Sequence, residues 1–556
     1  MPSQSVFGFR PGTVTYRVYE GVLLAVWLGG GALTAQTAVV DVDVKTVTKT
    51  IDRRLYGSNM EWSNNANQSW DTGSNSFRYS ILDQTKLSKV TLLRFPGGTL
   101  ADYYHWRDGI GPQSNRPTTP HYIDSGSSKH VVGTHEIMDF CQRTGAQPIL
   151  QVNVATGTAE EAKNWVAYAN SAVNYERAAN GSTAPFAVKL WEIGNEPYMR
   201  NWSGASNSSL MTASTYTTKF IDYATKMKQA DPTIKVVAVG GSNFGRYQLV
   251  QEANWNKELL QRAGSQIDFL AVHNAYAPMV VNLGTENFQQ VYEAMLAFPK
   301  QVERNLVSTN RDIERYAPAA ASRIQIAITE WGPLFAVSPG NPYVGHAKTL
   351  GSGVYTASMM RVFLEAQRVS VANFFELTDP LFLGSMNHGG VPKPSLLAME
   401  MYSKYFGDKM IKTVVTSPTI STAAAGLVEA ETNLPYIEAS SSLSADGKVI
   451  YVMLINKNLQ ISVPATIKIR NAACIATTGI ARTLTAASPD ANNGDDLLAI
   501  PGITWAKQAT APSNSMFNSG APGTVAIHSK SINSSASMQY DLPPVSVTSL
   551  ELRRCN

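Results

Sequence analysis

Cysteine is scarce in this sequence, and its scarcity excludes several kinds of site. Cys141, Cys474 and Cys555 are the only three in 556 residues, with no C-x-x-C pair and no histidine at metal-ligand spacing beside them. Zinc and dithiol redox sites need such spacings, so we expect neither a metal nor a cofactor. Cys474 and Cys555 could form one disulfide in the C-terminal region, whereas Cys141 lies in a segment typical of a buried helix.

Charge of either sign is also sparse. Charged residues make up 16% of the chain, the formal net charge is +4, and the basic residues are scattered. Nucleic-acid-binding proteins carry clustered Lys and Arg, so we expect no nucleic-acid partner. The length exceeds what one hydrophobic core usually organises, which predicts a large domain and at least one smaller one.

Long hydrophobic runs are missing except near the N-terminus. Residues 21–33 (GVLLAVWLGGGAL) follow Arg10 and Arg17 and precede small and polar residues. The run is too short to span a bilayer, and its three consecutive glycines weaken a helix. The pattern is that of a signal peptide over residues 1–36. We therefore expect a secreted or periplasmic protein that has no membrane association after the signal is removed.

Apolar periodicity divides the rest of the chain. Residues 39–51 alternate apolar and polar side chains, as a half-buried strand does. From residue 55 to 407, short apolar runs alternate with amphipathic stretches, which predicts a (β/α)8 TIM barrel with parallel strands, or failing that an open doubly wound sheet. The predicted barrel strands include residues 90–95, 147–152, 190–193, 235–239, 269–273, 325–329 and 371–375.

Beyond residue 407 the helical period disappears. Residues 449–456, 463–469 and 545–552 read as antiparallel strands among Ser, Asn and Gly turns, which predicts a jelly-roll-like β-sandwich over residues 408–556. Residues 486–537 are expected to be loop-rich. The strand within residues 37–54 precedes the first barrel motif, so we expect it to join the sandwich and the barrel to interrupt that domain.

Two glutamates end predicted barrel strands, where catalytic groups of such barrels lie. Glu196 closes the run Leu-Trp-Glu-Ile-Gly-Asn-Glu-Pro, and Glu330 closes Ile-Ala-Ile-Thr-Glu before Trp331. Glycoside hydrolysis needs one carboxylic acid and one carboxylate on opposite sides of the bond. Asn195 is then suited to bind the 2-hydroxyl of the sugar, and Trp331 to form an apolar wall against its ring. A carboxyl separation of about 5 to 5.5 Å would indicate a retaining mechanism.

These motifs resemble clan A of the glycoside hydrolases, and within it the family 51 α-L-arabinofuranosidases. Gly-Asn-Glu resembles the clan's acid/base motif on strand 4, and a glutamate ending strand 7 its nucleophile, which implies these roles for Glu196 and Glu330. The closer match comprises the segments LRFPGG (93–98), YHWRDGIGP (104–112) and GTHE (133–136). The motif similarity covers roughly residues 50 to 410.

The same resemblance implies further site residues. Glu61 matches an acid that holds sugar hydroxyls, and Arg94 matches a residue beside the nucleophile. The sequence departs from the family at Thr99, where Asn or Cys is common, and at residues 272–276, where a His-Tyr-Tyr run is usual. We still expect Tyr276 to donate to the nucleophile and His273 to line the rim as a substrate-binding residue. Both departures fall where a terminal sugar would bind.

The function predicted from these observations is retaining hydrolysis of arabinose-containing plant polysaccharides, with an oligo- or polysaccharide as the partner. An endo-acting β-glycanase of the same clan would keep both glutamates and bind a chain across an open cleft. A non-catalytic carbohydrate-binding barrel would be marked by the loss of one glutamate, and both are present. The sequence leaves the subunit number open.

Overall fold

The computed structural model describes residues 37–121, 126–198, 210–242, 253–273, 276–280, 287–336, 341, 343–379, 383–494 and 523–555. The predicted signal peptide, residues 1–36, lies outside this part of the chain. The strands are β1 Ala38–Thr50, β2 Gly57–Asn59, β3 Trp70–Asp71, β4 Ser76–Phe77, β5 Leu92–Phe95, β6 Thr118–Pro120, β7 Ser127–Lys129, β8 Gln147–Val152, β9 Leu190–Ile193, β10 Lys235–Val239, β11 Phe269–Ala271, β12 Gln325–Trp331, β13 Val369–Phe374, β14 Lys409–Thr416, β15 Thr419–Thr422, β16 Glu431–Pro435, β17 Ile437–Leu443, β18 Val449–Asn456, β19 Val463–Arg470, β20 Thr478–Thr485, β21 Ala526–Asn533, β22 Ser537–Leu542 and β23 Ser546–Arg553.

The α-helices lie mainly between the parallel strands. They are α1 Ser63–Asn67, α2 Tyr79–Leu87, α3 Thr134–Thr144, α4 Ala159–Asn170, α5 Tyr175–Ala179, α6 Ala213–Ala230, α7 Trp255–Ala263, α8 Phe288–Tyr316, α9 Leu350–Glu365 and α10 Pro394–Tyr405. Side-chain caps explain several starts: Thr158, Thr212 and Asn287 each accept a hydrogen bond from the backbone N–H three residues later. Such caps satisfy amide groups that have no partner inside the helix. Short 3₁₀ turns occupy Arg53–Leu55, Thr99–Tyr103, Trp106–Gly109, Gln113–Asn115, Pro318–Ala320 and Val344–Lys348.

Eight parallel strands close into a barrel in chain order, from β2 through β5 and β8 to β13. The expected (β/α)8 barrel is therefore present. Its lower interior is an apolar layer made of one or two residues from most of the strands. These residues are Leu92, Ile149, Leu190, Val237, Phe269, Ala271, Ala327 and Val371. Because side chains alternate along a strand, the residues two positions further on also face inward, nearer the C-terminal end.

The C-terminal region forms one nine-stranded sheet, in the order β21-β20-β23-β18-β17-β14-β1-β19-β22. The sheet curls toward itself, since Asn456 at the end of β18 donates to the carbonyl oxygens of Leu542 and Pro543 after β22, at 3.0 and 2.8 Å. β1 lies inside this sheet, antiparallel to β14 and parallel to β19. Strand β21 falls within residues 486–537, which we expected to be loop-rich, while residues 495–522 lie outside the described part.

The barrel and the sheet pack as one compact unit. A buried group of four residues, here called the interface cluster, joins them: Ser358 and Arg361 on α9, Glu438 on β17, and Lys457 after β18. Glu438 accepts hydrogen bonds from Lys457 Nζ at 2.6 Å, from Arg361 Nε at 3.3 Å and from the Ser358 hydroxyl. Burial would raise the pKa of Glu438, but its two cations outweigh burial and hold it at about 2.

A disulfide joins Cys474, between β19 and β20, to Cys555, after β23, a pairing that the sequence had left open, and Cys141 is buried as a free thiol. Among the described residues, none of the helices has the length and apolar character that crossing a membrane requires.

Candidate active site

A polar layer lies directly above the apolar layer of the barrel. It consists of the residues two positions beyond the apolar ones, toward the C-terminal strand ends. Its buried polar members are Asn59, Arg94, Gln151, Glu192, His273, Thr329 and Asn373. This placement follows from the two-residue period of the strands. Only Arg94 and His273 of this layer are predicted from the sequence.

Arg94 occupies the centre of the layer and is fully buried. Its guanidinium donates to Glu330 Oε1 at 2.7 Å, to Asn59 Oδ1 at 3.1 Å and to Asn195 Oδ1 at 2.8 Å, and its Nε forms an ion pair with Glu192. A planar guanidinium with five donors is suited to join several acceptors in one plane. Arg94 therefore lies beside Glu330, as the resemblance implied, and it orients Asn195 as well.

The turn after β9 directs Glu196 into the barrel mouth. Gly194 has φ of 85°, and a Cβ there would lie 2.5 Å from the Val154 side chain, so only glycine fits. Glu196 itself has φ of 36°, a conformation that non-glycine residues rarely adopt outside functional sites. Asn195 is 1% exposed, and its Nδ2 donates to Thr99 Oγ1 at 3.3 Å. Asn195 and Glu196 are thus positioned separately, one by Arg94 and the other by the strained turn.

An irregularity in β12 decides which side chains of that strand face the site. The pairing of β12 with β13 shifts register between Ile328 and Trp331. Such a shift re-aims side chains, and Glu330 contacts the Arg94 guanidinium while Trp331 points outward. Trp331 is 1% exposed and packs edge-on against Phe363 and Phe374, with ring centroids 5.1 and 5.3 Å away. The expectation that Trp331 forms a wall for the sugar is wrong, because its ring belongs to the layer between the barrel and α9.

His273 lies close to both candidate catalytic glutamates. Its Nε2 is 3.6 Å from Glu196 Oε1, and its Nδ1 is 3.7 Å from Glu330 Oε1. Burial and the charge of Arg94 lower the pKa of His273 to about 3. A neutral imidazole therefore contacts both carboxyl groups.

Tyr276 does not have the role expected for it. It is fully buried, and its hydroxyl donates to Asn305 Oδ1 on α8 at 2.8 Å. A hydroxyl has one proton to donate, so the expected donation from Tyr276 to Glu330 is wrong. The hydrogen bond to Asn305 instead links the segment that follows β11 to α8.

Glu61 has acidic neighbours that were not predicted from the sequence. The Asn67 side chain hydrogen bonds to both Glu61 and Glu376, and the charge of Asp379 acts on both glutamates. Asn67 belongs to a run of five left-handed residues, 64–68. This conformation is costly for residues other than glycine, although less so for asparagine, and it directs Asn67 between the two carboxyl groups. A Cβ on Gly98 would lie 2.7 Å from Glu61 Oε1.

We refer to Glu61, Arg94, Glu196, Glu330 and Glu376 as the mouth cluster. Burial raises the pKa of all four glutamates. Repulsion from Glu330 further raises the pKa of Glu196 and the pKa of Glu61, the latter to about 8. Repulsion from Glu61 further raises the pKa of Glu376. Burial also raises the pKa of Glu330, but the Arg94 contact opposes it. Of the two strand-end glutamates, Glu196 therefore has the more strongly raised pKa, which favours the proton on Glu196 and the charge on Glu330.

A metal-dependent reaction would need a set of ligands around one point. Within the described residues, no three or more His, Cys, Asp or Glu side chains are arranged to hold a metal ion. The chemistry that the mouth cluster can perform is proton transfer and nucleophilic attack by carboxyl groups.

Comparisons with known proteins agree with this geometry. A family model described as an alpha-L-arabinofuranosidase 1 domain matches residues 85–269. A probable alpha-L-arabinofuranosidase C of Aspergillus clavatus is 26% identical over 397 residues, which cover 67% of this chain and 74% of that protein. The crystal structure of an alpha-L-arabinofuranosidase from Thermotoga maritima with arabinose has a TM-score of 0.76 at 26% identity, covering 93% of this chain and 100% of that one.

A thermostable GH51 alpha-L-arabinofuranosidase from Thermotoga petrophila has a TM-score of 0.74 at 26% identity, again covering 93% of this chain and 100% of that one. The chain is a glycoside hydrolase that is similar in sequence and fold to the family 51 alpha-L-arabinofuranosidases. The family model ends at β11, so it contains Arg94 and Glu196 of this glycoside hydrolase, whereas Glu330 lies beyond the matched residues.

Proposed function

We propose that this glycoside hydrolase is a family 51 α-L-arabinofuranosidase that retains configuration at the anomeric carbon, with Glu330 as nucleophile and Glu196 as acid/base. The observation that carries the proposal is the unequal environment of the two glutamates that contact His273. Glu330 contacts the Arg94 guanidinium at 2.7 Å, whereas the pKa of Glu196 is raised by burial and by the charge of Glu330. Two carboxyl groups held in opposite protonation states are what double displacement requires.

In the first step the Glu330 carboxylate attacks the anomeric carbon while the glycosidic bond breaks. Glu196 gives its proton to the departing oxygen, so the leaving group departs as an alcohol and Glu330 becomes a glycosyl ester. Glu196, now a carboxylate, then takes a proton from a water molecule. The resulting hydroxide equivalent attacks the anomeric carbon, the ester bond breaks, and both glutamates return to their starting states.

The other acids of the mouth cluster support a neutral sugar as substrate. Glu61 and Glu376 lie near Glu330, and repulsion and burial raise the pKa of both. Such a group of carboxyls can accept from and donate to sugar hydroxyls but repels a sugar that carries a carboxylate. Asn195, oriented by Arg94, is available to the 2-hydroxyl. The arabinofuranosidases among the relatives support arabinofuranose over other neutral sugars.

The test is a substrate panel with product stereochemistry. Aryl glycosides of arabinofuranose, xylose, glucose and glucuronic acid, together with arabinan and β-glucan, would be assayed, and the first-formed anomer followed by NMR. We expect arabinofuranoside to be cleaved fastest, glucuronide not at all, and the first product to keep the substrate configuration. Faster cleavage of β-glucan would support the endo-glycanase instead, and an inverted first product would contradict the double displacement.

We also propose that the enzyme is exported. The apolar segment 21–33 supports this, as does the Cys474–Cys555 disulfide, because disulfides persist mainly in oxidising compartments. Expression of the full chain in a host with a general secretion pathway, followed by N-terminal sequencing, should give an extracytoplasmic protein that begins near residue 37. A cytoplasmic protein that keeps residues 1–36 would overturn the proposal.

A further inference from the structure

His273 contacts both candidate catalytic glutamates, each through a different ring nitrogen. The distances are 3.6 Å from Nε2 to Glu196 and 3.7 Å from Nδ1 to Glu330. The residue is 3% exposed, and neither ring nitrogen has a hydrogen-bond partner among the described residues. Contacts of this length in a free enzyme often shorten when the substrate binds. The imidazole ring is therefore placed to interact with both carboxyl groups at once.

The charged groups around His273 keep the ring neutral. Arg94 on β5 lowers its pKa, and Glu192 on β9 raises it by less. Glu196 follows β9, and Glu330 lies one residue before the end of the neighbouring strand β12. The other neighbour, β10, ends at Val239 and is followed by Gly240. Tyr198, close to both catalytic glutamates, has a raised pKa from burial and their charges and stays neutral. A neutral imidazole has one N–H donor and one acceptor nitrogen.

We propose that His273 is held as the tautomer with hydrogen on Nδ1, and that it is a positioning residue that keeps the proton on Glu196 and the charge on Glu330. This inference rests on the roles of the two glutamates proposed above. An ionised carboxylate can only accept, so the N–H must face Glu330; a protonated carboxyl can donate, so the lone pair must face Glu196. The opposite tautomer would direct a lone pair at the Glu330 charge.

The arrangement widens the pH range of the working enzyme. The Nδ1–H dipole stabilises the Glu330 carboxylate and lowers its pKa, while the Nε2 lone pair stabilises the Glu196 acid and raises its pKa. The two apparent pKa values belong to the coupled pair, and they set the two limbs of the pH profile of kcat/KM. Loss of both ring nitrogens should bring the limbs together, by on the order of one pH unit at each limb.

The first experiment reads the tautomer without substrate. The full-length enzyme, labelled with ¹⁵N in its 8 histidines, would be studied by long-range ¹H–¹⁵N correlation NMR, and the His273 signals identified by their absence in His273→Phe. We expect a neutral ring protonated on Nδ1 at pH 6. A ring protonated on Nε2, or on both nitrogens, would overturn the proposal. Because no substrate is used, this result is independent of whether arabinofuranose is the sugar cleaved.

The second experiment separates positioning from packing. His273→Phe keeps a ring of similar size but has neither donor nor acceptor, whereas His273→Gln offers an NH₂ donor and a carbonyl acceptor. We expect His273→Phe to narrow the pH profile of kcat/KM from both sides and His273→Gln to restore part of its width, with similar thermal melts for both. Profiles of unchanged width in His273→Phe, or equal narrowing in both variants, would show that the residue only fills space.

Discussion

The mouth cluster and the interface cluster both bury glutamates, but with opposite balances of charge. At the interface, one carboxyl group, Glu438, contacts two cations, and its pKa falls to about 2. At the mouth, one guanidinium is in contact with two carboxylates, Glu192 and Glu330, and further acids lie close by, so pKa values rise. The comparison shows that the ratio of cations to carboxyls, more than burial alone, decides whether a glutamate serves stability or proton transfer.

The largest effect should come from removing the nucleophile at the mouth. Glu330→Ala abolishes the covalent route and is expected to lower kcat by about 10⁵-fold on every substrate. The fold should persist, because the variant also removes a buried like charge from the cluster. Steady-state assays on an aryl arabinofuranoside with a thermal melt would measure both quantities. Activity above a few per cent of wild type would exclude Glu330 as the nucleophile.

A smaller effect is expected at the acid/base. Glu196→Ala removes a general acid commonly worth about 10² to 10⁴ in rate, and the loss should be greatest for poor leaving groups. With an acidic phenol as leaving group, added azide should release a glycosyl azide of retained configuration. If azide instead rescued Glu330→Ala with inversion and had no effect on Glu196→Ala, the two roles would be exchanged.

At the interface, the corresponding substitution should affect stability and leave catalysis alone. Glu438→Gln leaves Lys457 and Arg361 buried beside a neutral group, and breaking such a pair costs about 3 kcal/mol or more of unfolding free energy. Asp139→Asn, which breaks the exposed pair with Arg143, is the matched control, with about 0 to 0.5 kcal/mol expected. Denaturant unfolding and kcat per folded molecule would be compared. A fall in kcat for Glu438→Gln without a fall in stability would contradict the division between the two clusters.

The two clusters should also respond to pH with opposite signs. The folded pKa of Glu438, about 2, is below its ordinary value of 4.5, so its stabilisation is present above pH 4.5 and is lost as pH falls toward 2. The folded pKa of Glu61, about 8, is above 4.5, so its unfavourable ionisation lowers stability as pH rises from 4.5 through 8.

Glu61→Gln should therefore be more stable than wild type at pH 9, by up to about 5 kcal/mol of unfolding free energy, and match it at pH 4. Glu438→Gln should melt below wild type at pH 7 and approach it near pH 2. Melting curves across this pH range would measure both differences from wild type. A change in stability of the same sign in both variants at pH 9 would contradict the predicted difference between the two clusters.

The sequence predicted much of the barrel because its signals are local. Strands such as residues 147–152 are short apolar runs, and Glu196 and Glu330 end such runs at the edge where catalytic groups lie. Glu192 was missed although a signal existed: it is two residues beyond Leu190 of the apolar layer, and the strand period points it inward. The same rule applied to every strand would have found most of the polar layer.

Other features depend on contacts between distant segments, so the local sequence could not predict them. The outward position of Trp331 results from a register shift between β12 and β13, and period-2 counting cannot predict such shifts. Glu376 joins the mouth cluster through Asn67, which a left-handed run directs toward it. Strand β2 consists of Gly-Ser-Asn, which lacks the β-branched residues typical of strands.

Because β1 lies between β14 and β19, it must wait for these strands to be synthesised before it can pair with them. Its hydrogen-bonding partner β14 begins about 360 residues after β1 ends, so a ribosome adding 5 to 20 residues per second completes that partner about 20 to 70 s later. Throughout that interval an alternating apolar segment stays unpaired while the barrel strands emerge one after another. Unpaired strands are templates for association with other chains. Nascent chains arrested before residue 409 should therefore be the species that most needs a chaperone.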